Sequence, residues 1–160
     1  MASSVAHKIT YLCSWSREEL PPNQEKFEDF GPPDWIGMGV KGIVQRCIYK
    51  RPLISEEDDL EQVHAKLKDP YEDFEYCPDV NVYTAPKLYG TGFYLLPEIE
   101  KAIRIWEEKI GKTSSSAKWL EQLRHYRQVI EEKMALANNL FVTAGFPHVR
   151  IQEISTYPED

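Results

Sequence analysis

The sequence predicts a single α+β domain, with an antiparallel or mixed sheet and about three helices. Three observations carry this. At 160 residues the chain has the length of one domain with room for a real core. Short β-branched and aromatic runs, KITYLC at 8–13 and GIVQRCIY at 42–49, read as strands. Two longer stretches place apolar residues at helical spacing.

Taken in order, residues 8–13 form the first predicted strand. Residues 20–37 hold Pro21, Pro22, Pro32 and Pro33 among charges and read as an irregular wrap. Residues 42–49 form the second strand. Ser55 is placed to N-cap a helix whose first turn is crowded with carboxylates, where the helix dipole favours them. Asp69-Pro70 is expected to stop it near Lys68. Residues 71–79 are acidic and aromatic without a clear period, and 80–84 and 88–95 read as strands interrupted by Pro86 and Gly90. Pro97 suits a first helical position; Ile99, Ala102, Ile103, Trp106 and Ile110 then mark one face, and Gly111 a stop. After a hinge at 113–116, Trp119, Leu123, Tyr126, Ile130, Met134 and Ala137 form the stripe of a long helix expected to end at Asn138-Asn139. Residues 140–143 and 148–154 are expected to close the sheet around Gly145 and Pro147.

Composition is that of a soluble globular protein, 42% hydrophobic and 28% charged. No apolar run approaches the ~20 residues of a membrane span, and the N-terminus has no apolar core of a signal peptide. Cys13, Cys47 and Cys77 are odd in number and form no CxxC, which points to reduced thiols in the cytoplasm. Net charge is -7, and residues 56–79 hold ten acids against Lys66 and Lys68, a local net of -8 that leaves about +1 for the rest. With no basic footprint, direct nucleic-acid binding is not expected. An acidic block of this kind fits a basic protein partner.

Three catalytic or ligand-binding patterns are matched only in part. Gly37-Met-Gly-Val-Lys-Gly42 has the spacing of a phosphate loop, but a Pro-rich segment precedes it and a β-branched run follows, so it reads as a turn opening a strand. His7, His64, His125 and His148 show no metal-ligand spacing, and 69–79 lacks the Gly and closing Glu of a calcium loop, so no metal site is expected. There is no GxSxG elbow, and Cys13 and Cys47 fall inside predicted strands, as inert buried thiols do.

Two patterns point to function. The first is YGTGFYLLPEIEKAIRIW at 89–106. It resembles the second motif of the ADP-ribosyltransferase superfamily, toxin-like branch, through Gly92-Phe93-Tyr94 followed by Ala102 and Trp106. The resemblance implies a strand end, a polar turn and a helix whose aromatics sandwich the nicotinamide of NAD. Tyr94 would take one face and Trp106 the other, with Gly92 beside them; a flat cationic ring favours aromatic faces. It also implies an early His, for which His7 is the candidate, and a late-strand catalytic Glu, for which Glu153 in HVRIQEIS is the candidate. No His-Gly-Thr strand is present, and Gln152 and Glu153 are adjacent rather than spaced as Gln/Glu-x-Glu. The implied function is NAD or ADP-ribose binding, in a divergent transferase or an inactive descendant of the fold.

The second pattern is the alternation of acids and aromatics through 56–83, centred on Glu72, Asp73, Phe74, Glu75 and Tyr76. It points to a non-enzymatic interaction protein, of inhibitor or immunity type, docking on a basic protein surface with tyrosine anchors.

Overall fold

A computed structural model describes residues 7–19, 37–38, 42–77, 79–110 and 117–158. Strands β1 (His7–Ser16), β2 (Gly37–Met38), β3 (Gly42–Arg51) and β4 (His148–Pro158) form one antiparallel sheet in the order β2-β3-β1-β4. Helices α1 (Leu60–Glu75), α2 (Ala85–Ile110) and α3 (Ala117–Thr143) complete the α+β domain. The Pro-rich wrap expected at 20–37 lies outside the described residues except for Gly37.

β1 is an interior strand between β3 and β4, and every residue from Ile9 to Ser16 is buried. Its alternate residues Ile9, Tyr11, Cys13 and Trp15 share a face with Ile43, Cys47 and Tyr49 of β3, because directly opposed residues of an antiparallel pair point the same way. That face receives the helices: Tyr94 of α2 lies against Tyr11 and Tyr49, and Trp15 meets Tyr89 of α2 and Phe141 of α3. On β4 the register shifts between Thr10 and Tyr11, which face Ser155 and Glu153, leaving Ile154 as the extra residue of a bulge.

The strand expectations at 8–13, 42–49 and 148–154 fall within β1, β3 and β4, but the helix boundaries moved. α1 is capped by Asp59, not Ser55: the Gln62 amide donates to Asp59 Oδ1 at 2.7 Å and the Asp59 amide to Gln62 Oε1 at 2.9 Å. Pro70 does not stop α1. An interior proline costs about 3 kcal/mol. Leu67, Tyr71 and Phe74 continue the buried stripe of Leu60 and Val63 past it, at roughly 1.5–3 kcal/mol of burial each.

The expected strands at 80–84 and 88–95 are absent. An Asx turn at Asn81, whose Oδ1 accepts the Tyr83 amide at 2.9 Å, leads into α2, and α2 runs unbroken through Pro97. Leu88, Thr91, Leu95, Ile99 and Ala102 are its buried stripe at helical spacing. The two glycines serve close packing rather than a loop. A Cβ on Gly90 would overlap the Tyr11 ring, and one on Gly92 would overlap Met134 of α3. α3 likewise continues past Asn138, whose Oδ1 accepts the Trp15 indole N–H at 2.9 Å, so 140–143 is its last turn and not a strand. Gly145, at φ +99°, ends it, with the Phe146 amide returning to the Phe141 carbonyl at 2.9 Å.

Candidate functional site

α1 and α3 lie side by side in the same direction. His64 meets Trp119 at 4.6 Å between ring centroids; seven residues on in both helices, Tyr71 meets Tyr126 at 3.8 Å. A groove of about 500 Å³ runs along this seam. Its floor is the stacked pair Tyr71 and Tyr126, both buried, while Trp119 and Tyr76 stand exposed at its sides. Glu61, Glu72 and Glu75 line it against one lysine, Lys68.

The electrostatics follow from that geometry. Burial, then the Glu75 carboxylate, pushes the Tyr71 hydroxyl up to about 12. Burial followed by Glu75 and Glu72 raises Tyr126, and Glu75 raises the exposed Tyr76. Two carboxylates thus act on one set of rings. Burial lowers His64, partly opposed by the Trp119 carbonyl, which lies 3.3 Å from its Nε2. The imidazole is therefore neutral at pH 7 and adds no positive charge to the groove.

The acidic–aromatic residues singled out in the sequence divide over this helix. Glu72, Glu75 and Tyr76 line the groove. Phe74 does not: it is fully buried in the core. Asp73 faces a different cavity, beside α2. Glu61 belongs to the acidic run read from the sequence, whereas His64, Trp119 and Tyr126 were not singled out as binding residues. A readable signal existed, since the His64–Tyr71 and Trp119–Tyr126 spacings are both seven residues, two turns of helix.

The residues implied by the ADP-ribosyltransferase resemblance are partly assembled. Glu153 opposes Tyr11 across β1·β4, on the sheet face against which Tyr94 packs. Burial and then Glu153 push the Tyr94 hydroxyl up to about 12. Tyr94 is half-buried, stacked on Tyr49 at 5.7 Å and 17° and edged by Phe93. Trp106 does not share its site, because twelve helical residues separate them by about 18 Å. His7 lies four strand residues before Tyr11, roughly 13 Å away, opposite Arg51 and Pro158. Gly92 is inside the α2–α3 contact. The strand end and turn that the resemblance implies are one continuous helix here.

Cys13 and Cys47 are buried thiols with raised pKa, Cys47 reaching about 11 through burial. Thiols held protonated in this way are poor nucleophiles. Among the described residues no three His, Cys, Asp or Glu side chains cluster as metal ligands. No helix among them is long and apolar enough to cross a membrane. Neither a protein family, nor a characterised protein, nor a solved structure matches this chain.

Proposed function

We propose that this chain is a non-enzymatic acidic interaction protein whose α1–α3 groove binds a basic segment of a protein partner. The observation that carries this is the coincidence of exposed aromatic faces, Trp119 and Tyr76, with the carboxylates of Glu61, Glu72 and Glu75 along one seam. Lys and Arg side chains gain from both: cation–π contact contributes about 0.5–1 kcal/mol at an exposed ring, and each exposed ion pair about 0–1 kcal/mol. From His64 to Tyr76 the groove spans roughly 18 Å, the length of about five extended residues.

The test is the affinity of a fluorescent Lys/Arg-rich decapeptide, followed by anisotropy across salt concentrations. Glu72→Lys with Glu75→Lys should weaken binding roughly tenfold or more, since 1.4 kcal/mol is a factor of ten. Glu100→Lys with Glu108→Lys gives the same net charge on exposed positions of α2, away from the groove, and should change binding little. Equal weakening by both pairs would reduce the effect to net charge and sink the proposal.

A second reading, NAD or ADP-ribose beside Tyr94, draws on one observation: Glu153 is near enough to act on the Tyr94 hydroxyl.

A further inference from the structure

On the other side of α1 from the groove, a cavity of about 220 Å³ lies between β3, the end of α1 and the first turns of α2. Among the described residues, three of its lining side chains have no hydrogen-bond or ion-pair partner. Gln45 Oε1 is enclosed and accepts no hydrogen bond. Lys87 and Asp73 both line the cavity, and neither forms an ion pair among the described residues, with each other or with any third group. The Lys87 charge also reaches the buried Cys47 thiol, where it partly opposes the effect of burial. An enclosed amide oxygen without a donor is costly, and native structures rarely leave one so.

The geometry points to a binding site for a small zwitterion, a free α-amino acid, with Lys87 holding its carboxylate and Asp73 and Gln45 Oε1 holding its ammonium. The volume falls below the ~300–1,000 Å³ of drug-sized ligand sites, which excludes a dinucleotide and suits a metabolite of amino-acid size. Leu88 adds an apolar wall and Thr91 a hydroxyl, so a short aliphatic or hydroxyl side chain fits. A zwitterion offers an opposite charge to each of the two, where a singly charged ligand offers one.

The experiment is a thermal-shift screen of the twenty amino acids on the full chain, followed by calorimetry. Each hit is paired with its decarboxylated amine and its deaminated acid. At least one amino acid is expected to raise the melting temperature while its amine and acid counterparts do not. Lys87→Met and Asp73→Asn, both at exposed positions, should each weaken it roughly tenfold or more. Gln45→Leu should abolish binding yet leave the ligand-free protein as stable or more so, since an apolar group of similar shape replaces an unpartnered amide. Absence of any shift at up to about 10 mM ligand overturns the inference. So does equal binding of the amine or the acid alone, or a loss of ligand-free stability in Gln45→Leu.

Discussion

Tyr71 of α1 and Tyr126 of α3 stack face to face, with ring centroids 3.8 Å apart and planes 16° from parallel. This contact ties two helices that are not consecutive and forms the floor of the acidic groove. Truncating Tyr71 to Ala should cost about 3–5 kcal/mol, as for other buried aromatics. The stacking itself should appear as a coupling of about 0.5–1.5 kcal/mol in a double-mutant cycle with Tyr126→Ala, measured by urea unfolding. Additive losses would mean that the rings merely fill space.

Gly90 faces the ring of Tyr11, which is fully buried. Gly90→Ala should therefore destabilise the fold by about 1–3 kcal/mol, although alanine favours helix by up to ~1 kcal/mol. Gly92→Ala meets the flexible side chain of Met134 and should cost less. Chemical denaturation of both variants decides the order. A reversed order would mean that α2 does not sit on β1 as described.

His64 has a folded-state pKa below its ordinary value because burial disfavours the charged ring. The unfolded chain therefore takes up its proton first as the pH falls. The stability contributed by neutral His64 is complete above about pH 6.5 and is lost as pH falls through the lower folded value. Wild type should lose stability as the pH falls below about 6.5, and His64→Gln should show a smaller slope there. Parallel pH profiles for the two proteins would contradict a buried, neutral His64.

If NAD binds beside Tyr94, the exposed Glu153 offers the cleaner probe, since replacing Tyr94 also removes packing against Tyr11 and Tyr49. Ligand at a hundred times its dissociation constant adds about 2.7 kcal/mol. That is a shift of several degrees for a domain of this size. Glu153→Gln should abolish such a shift. Absence of a shift in wild type would remove the NAD reading.

The α+β class and the three long strands were legible in the sequence, because β1, β3 and β4 are rich in β-branched and aromatic residues. The start of α2 was not. Leu88, Thr91 and Leu95 have helical spacing, but Gly90, Gly92 and the Phe93-Tyr94 pair gave the local composition of a turn and strand. What decides is tertiary: both glycines are needed for close approach, one to β1 and one to α3, and packing overrides their poor helix propensity. Pro70 misled in the same way, since the buried faces of Tyr71 and Phe74 hold the helix beyond it. Half of the groove was visible in the acidic run. The other half was hidden, because Trp119 and Tyr126 lie more than forty residues on and read as core stripe. The Gln45, Asp73 and Lys87 cavity draws on three elements and has no local pattern at all.

The most direct test of the central claim is amide chemical-shift mapping of the 160-residue protein titrated with the Lys/Arg-rich decapeptide. Binding in the groove predicts saturable shifts confined to Glu61–Glu75 of α1 with its cap Tyr76 and to Trp119–Tyr126 near the start of α3, lost in the Glu72→Lys, Glu75→Lys protein. Shifts that instead cluster around Tyr94 and Glu153, or spread evenly over every acidic residue, would contradict it.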